Sequence, residues 1–205
     1  MNMQRTLLGL ASMLIAGASQ AALITLTDTQ LGSGNPVTGG GVTLTTSKVG
    51  GSIGFIPGTG GFSGLWLGGS NTSGVYTLSF SQSISSIEIE FDALSDIGSG
   101  APETLFGWAT NLGAVTIGYT NQFGTTFDGT TVTSTENDGQ GTINFSGPAF
   151  SSFTFNHSQG QQSGFVIERI LINTVDSNNV PEPGTLALIG LALIGLAASR
   201  RRAAH

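Results

Sequence analysis

Six consecutive residues, Ile87-Glu88-Ile89-Glu90-Phe91-Asp92, alternate apolar and acidic without a break. Side chains of an extended strand point to opposite faces in turn, so Ile87, Ile89 and Phe91 share one face and Glu88, Glu90 and Asp92 the other. No helix can sort these residues that way. The segment therefore predicts a half-buried β-strand with an apolar side on a core and a wet acidic side.

The same period recurs along the middle of the chain, in Val42–Thr45, Val75–Phe80, Val115–Tyr119 and Phe150–Phe155, with clusters of Gly, Asn, Asp and Ser between. Phe165–Ile172 is more continuously apolar and reads as a central strand buried for much of its length. About ten short strands in a unit of this size predict an all-β fold, an antiparallel two-sheet sandwich of jelly-roll-like form. No helical stripe is read between the two ends of the chain. The stretch from Gly32 to Gly74 is glycine, serine and threonine with single large residues such as Phe55, Phe62 and Trp66. Glycine weakens strand interiors, so short strands, bulges and surface loops are expected there. Gly58–Gly64 is glycine-rich, but no lysine follows and no helix is predicted after it, which excludes a phosphate cradle.

The two ends have a different character. At the N-terminus Arg5 precedes an apolar run from Leu7 to Ala18, followed by Ser19-Gln20-Ala21. A positive start, an apolar middle and small residues before a cut make a secretory signal peptide over residues 1–21. Cleavage by signal peptidase is expected between Ala21 and Ala22. At the C-terminus stand Val180-Pro181-Glu182-Pro183, 16 uncharged residues from Gly184 to Ser199, then Arg200-Arg201-Arg202 and a short tail, residues 203–205. Pro181 and Pro183 fix an extended segment that presents the Glu182 carboxylate. As a helix, the uncharged run would reach roughly 24 Å, a short transmembrane span. The three arginines act as a stop on the cytoplasmic side, which leaves the rest of the chain outside.

These three parts in this order resemble the PEP-CTERM sorting signal of Gram-negative bacteria. The resemblance covers residues 180–202 and implies recognition of Pro181, Glu182 and Pro183 by exosortase, an integral-membrane enzyme, with removal of the helix and arginines during sorting. It also implies an inner-membrane-anchored intermediate, a final place at the cell surface or outside the cell, and a setting rich in exopolysaccharide. A late strand of the pattern Gly164-Phe165-Val166-Ile167-Glu168-Arg169-Ile170 resembles those of jelly-roll or carbohydrate-binding-like sandwiches that precede such tails, with Arg169 where a second acid is common.

Between the ends lies an exported unit, residues 22–179. It holds 11 acidic residues and two basic ones, Lys48 and Arg169, for a net −9. That balance offers no basic face to nucleic acid. The chain has no cysteine, so disulfides, thiolate nucleophiles and cysteine-bound metals are excluded.

Few residues are candidates for chemistry. Only His157 and His205 could serve as imidazole bases, and His157 reads as a loop or edge histidine at the surface, without a nucleophile elbow. Glu88, Glu90 and Asp92 sit at successive outward positions, roughly 6–7 Å apart, a spacing compatible with two-carboxylate glycoside hydrolysis but equally with a solvated strand face. Glu136-Asn137-Asp138-Gly139 and Asp128-Gly129 offer oxygen ligands for calcium or, as Asp-Gly pairs, ordinary hairpin turns. Trp66, Trp108, Tyr76 and Tyr119 could stack on sugars or fill the core. Three Asn-X-Ser/Thr sequences, at Asn71, Asn144 and Asn156, read as polar loops. The expectation is a non-enzymatic surface or matrix protein that needs no cofactor and has a structural or adhesive role with extracellular polysaccharide. A dedicated carbohydrate-binding module is the alternative, and a secreted glycan hydrolase the third class.

Overall fold

The structure, a computed structural model, describes residues 21–57, 61–69, 73–95, 101–159 and 164–175. Of the two membrane-directed helices expected at residues 1–21 and 180–202, all but Ala21 lies outside these. Among the described residues no helix is long and apolar enough to cross a membrane.

Residues Ala21–Val175 form one compact unit. Its strands are β1 (Leu23–Leu26), β2 (Val37–Gly39), β3 (Val42–Gly50), β4 (Ile53–Ile56), β5 (Gly64–Leu67), β6 (Gly74–Leu94), β7 (Thr104–Thr110), β8 (Gly113–Ala114), β9 (Gly118–Phe123), β10 (Thr125–Phe127), β11 (Val132–Ser134), β12 (Gly139–Ser158) and β13 (Phe165–Thr174). One turn of helix, α1 (Asp28–Leu31), was not legible as a stripe, although the Gln30 side chain accepts a hydrogen bond from the Thr27 N–H at 3.0 Å, a capping contact at its start.

All pairings are antiparallel, which agrees with the all-β antiparallel expectation. The expected pair of separate sheets is corrected: the strands form a single hydrogen-bonded sheet. The reason is that β6 and β12, 21 and 20 residues long, each run through both layers. The first part of β6 pairs with β3 and with the last part of β12, while its second part pairs with β13 and the first part of β12. Register shifts around Phe150 mark the corner in β12. Bulges and bends are the means by which one strand serves two layers.

Closure of the layers follows from two rings. Phe155 opposes Tyr76 near the start of β6, whereas Phe165 directly precedes Val166, which opposes Asp92 near its end. A straight strand would separate those positions by about 50 Å, yet the rings of Phe155 and Phe165 are 6.1 Å apart. Strand β6 has therefore folded its two halves face to face over a common core, in which Tyr76, Leu78, Ile87, Ile89, Phe91, Phe153, Phe155 and Phe165 are almost wholly buried.

Local expectations fare unevenly. Ile87, Ile89 and Phe91 are buried as the alternation demands, and Phe165–Ile172 lies in a central strand. Gly164 enters that strand at φ 149°, where a Cβ would collide with the Leu67 carbonyl oxygen and the Trp66 indole nitrogen, so glycine is required. Val115–Tyr119 is not one strand: Val115 donates to the Trp108 carbonyl in the link between β8 and β9. Asp92, placed on the wet face by the alternation, is buried. There β6 opposes Val166 of β13, itself wholly buried, so the outward side is covered at that end.

Candidate functional site

The outward side of the second layer gathers most of the side chains able to act on a ligand. Register places them in three rows across strands: Thr120, Thr142, Glu90 and Arg169; then Asn144, Glu88, Leu171 and Thr25; then Ser146, Ser86, Asn173 and Leu23. Strand alternation puts these residues outside because their neighbours Ile87, Ile89, Ile143, Ile170 and Ile172 take the core.

Arg169 organises the face. Its Nε donates to Glu90 Oε2 at 2.6 Å and its Nη2 lies 3.6 Å from Glu88 Oε1. The Gln122 amide reaches Glu90 Oε1 at 3.4 Å and Thr142 Oγ1 at 3.1 Å, and the Asn173 amide donates to Ser86 Oγ at 2.7 Å. A bulge between Ile167 and Arg169 rotates Arg169 onto the face of Glu90, a placement the sequence pattern alone did not give. Two shallow grooves flank this ladder. One runs over Leu23, Ser86, Glu88, Asn144 and Asn173, the other over Thr27, Asp28, Glu90, Glu168 and Arg169. In the second, burial together with the neighbouring acids Asp92, Glu90 and Asp28 raises the Glu168 carboxyl above the usual carboxylate range. Burial likewise raises Asp92. Asp28 is held low, chiefly by the hydrogen bond from Ser63 and then by the Thr29 N–H.

The other candidates fall elsewhere. His157 is corrected from surface to core: it is 1% exposed, edge-on to Phe165 with ring centroids 5.1 Å apart, and neither ring nitrogen makes a hydrogen bond. Glu103, also buried, faces it, with Oε1 3.8 Å from the histidine Nε2 and Oε2 accepting from the Ser95 N–H at 2.9 Å. Among the described residues no hydroxyl is hydrogen-bonded to the imidazole. No sequence signal joined residues 103 and 157, because only the pairing of β12 with β7 brings them together.

Asp128 Oδ1 accepts from the Thr130 and Thr131 N–H groups and the Thr130 hydroxyl, closing the β10–β11 hairpin. Asp138 takes a positive φ of 61° immediately before β12, and Glu136 and Asp138 are exposed. Among the described residues no group of three acidic or histidine side chains is placed to hold a metal ion. Trp108 and Tyr76 are buried, and the Trp108 indole donates to the Thr130 carbonyl at 2.7 Å. Trp66 and Tyr119 are half-buried. Asn144 is exposed and Asn156 half-buried on β12, so neither lies in the loop its sequence suggests, and Asn71 is outside the described residues.

Of the processing residues, Ala21 and Ala22 are exposed. The Ala22 N–H donates to Thr174 Oγ1 at 3.1 Å and the Thr174 N–H returns a bond to the Ala22 carbonyl at 3.1 Å. The expected new N-terminus is thus fastened to the end of β13. Pro181, Glu182, Pro183, Arg200, Arg201 and Arg202 lie outside the described residues.

No curated protein and no solved structure matches the chain. One family does: residues 179–202 match the PEP-CTERM protein-sorting motif. The chain therefore carries, behind an antiparallel β unit, the sorting signal of PEP-CTERM proteins, which implies export, an interval at a membrane and sorting to the cell surface through exosortase.

Proposed function

We propose that this chain is a non-catalytic surface or extracellular-matrix protein with a structural or adhesive role in exopolysaccharide. In this reading signal peptidase cuts after Ala21, and exosortase acts at Pro181-Glu182-Pro183 and removes the apolar run and Arg200–Arg202. The observation that carries it is the sorting motif at residues 179–202 attached to a single compact β unit.

The polar second-layer face supports the adhesive part. Amides, hydroxyls and an arginine on a rigid sheet, beside shallow open grooves, suit the hydroxyl groups of a long glycan chain better than a small substrate that must be enclosed. The same geometry speaks against hydrolysis by Glu88 and Glu90, since both carboxylates are engaged by Arg169 on an open sheet face rather than set across a cleft. The reading needs no metal and no cofactor.

The test is co-sedimentation of the released protein with polysaccharide isolated from the native cell. Retention should fall several-fold in Arg169→Ala and in Asn144→Ala with Asn173→Ala; unchanged retention in both would remove the face from the account. A dedicated carbohydrate-binding module would instead show saturable quenching of Trp66 by one defined glycan, lost in Trp66→Phe. Sorting is tested separately by Pro181→Ala with Pro183→Ala, which should leave an unprocessed, membrane-retained form. Normal release of that variant would reduce these residues to a linker.

A further inference from the structure

Strands with a single partner differ in how they are protected. Among the described residues, β1, β2, β4, β8, β9 and β10 each pair with one other strand. Five of these are two to four residues long, and shortness is itself a guard against pairing with another chain. Further guards are visible. Next to β2, the Asn35 side chain takes both backbone groups of Thr46, donating to its carbonyl at 2.7 Å and accepting from its N–H at 2.9 Å, which stands in for a strand. Beside β4, Gly32 at the end of α1 packs so closely on the Ile56 carbonyl that no Cβ would fit, and Pro57 follows.

Strand β9 has none of these features; its one irregularity is a register shift against β12 between the Asn121 and Phe123 pairings, which leaves Gly118–Asn121 in regular register. It is six residues long, Gly118–Phe123, with no charge and no proline, and every residue except Tyr119 is exposed. Phe123 stands 54% exposed at its end. It is also held ready. The Tyr119 ring packs on Phe91 and Phe127, its hydroxyl meets Thr125 Oγ1 at 2.5 Å, and the Thr125 hydroxyl donates to the Asn121 side-chain oxygen at 2.8 Å. A strand already fixed in its extended form loses little freedom on pairing.

We infer that β9 is a self-association edge, and that its occupant is β9 of a second copy of this chain, antiparallel, continuing the second-layer sheet across a two-fold axis. Three observations select this partner. The free side of a strand presents alternating N–H and C=O groups, which only another extended backbone matches along its length. An antiparallel strand related by a two-fold axis is complementary to itself without further design. The unit carries net −9, so two copies repel except where their surfaces are neutral, and β9 is an uncharged edge of that kind. This inference is independent of any polysaccharide role.

The experiment is sedimentation velocity on residues 22–179, which hold every core residue found among the described ones and nearly the whole compact unit Ala21–Val175, over roughly 1–200 µM, a range that spans weak specific association. The protein should shift from monomer to dimer with concentration, more readily at 0.5 M than at 0.05 M salt because screening relieves the repulsion. Thr120→Lys puts a cation on the edge and should weaken the dimer tenfold or more while leaving the thermal midpoint within 2–3 °C, the scale of a surface change. Ser146→Lys, exposed on an interior strand, should leave it unchanged. A monomer throughout the range, a dimer indifferent to Thr120→Lys, or a species larger than a dimer would each overturn the proposal.

Discussion

The two outward faces of the unit are built on the same bent strands, yet they differ in kind. On the first layer, register aligns Thr45, Ser79 and Ser152 in one row and Ser47, Thr77 and Thr154 in the next, with Thr77 and Thr154 hydroxyls 2.9 Å apart. On the second layer the corresponding rows carry Glu90 with Arg169, and Glu88 with Asn144. Hydroxyls bonded to each other are indifferent to pH and nearly so to salt, whereas the ionic ladder responds to both. One core therefore supports a face whose contribution is constant and one that its surroundings can tune.

The comparison breaks most completely if the shared core is opened. Phe165→Ala removes the ring that meets Phe91 within the second layer and Phe155 and His157 of the first. A loss of about 3–5 kcal/mol is expected, read by urea unfolding, with both faces lost in one transition. Two separate transitions would mean that the layers do not share a core.

A smaller effect separates the acids of the second layer. Asp92 and Glu168 have raised folded pKa values, mainly through burial, so each costs stability as pH rises from the ordinary carboxylate value through the raised one. Asp92→Asn and Glu168→Gln should thus raise the thermal midpoint at pH 7, with the gain fading near pH 4 and below. Asp28 has the opposite sign: its lowered pKa gives stability present above the ordinary value and lost as pH falls through the folded one. Asp28→Asn should lower the midpoint at pH 7 and converge on the parent in acid. Midpoints that move together in all three would contradict the assigned causes.

Arg169→Ala comes next. Its ion pairs are partly exposed, so a loss of about 0.5–1 kcal/mol is expected at low salt, shrinking in 1 M sodium chloride as screening removes the attraction. The least effect belongs to the first layer, where Thr77→Val should change stability by no more than about 0.5 kcal/mol, equally at every pH and salt concentration. A salt-dependent Thr77→Val would erase the distinction between the faces.

The parts of this structure legible in the sequence are those set by local periodicity. Ile87–Phe91 and Phe165–Ile172 have side chains that alternate or run apolar over several residues, and each lies in a strand facing the core. What escaped is set by distant neighbours. Residues 75–80 and 87–92 read as two strands because Ser81, Gln82 and Ser83 look like a loop, but they form the polar, exposed corner of one continuous strand. His157 lies in a polar sequence that gives no hint of burial, because Tyr76, Glu103 and Phe165 reach it from three other parts of the chain. Arg169 acquired its two carboxylate partners through a bulge, and a bulge shifts register without changing composition. The sorting signal was readable because it is a linear address, while the face proposed to meet polysaccharide exists only after β1, β6, β12 and β13 have paired.

Intact-mass measurement of the protein recovered from native-cell membranes and from the surrounding medium tests the central claim directly. The account predicts a released form that begins at Ala22 and lacks the apolar run and Arg200–Arg202, together with a longer membrane-held precursor. A released or surface form that keeps residues 184–205 would contradict it and make this chain a permanently tethered protein.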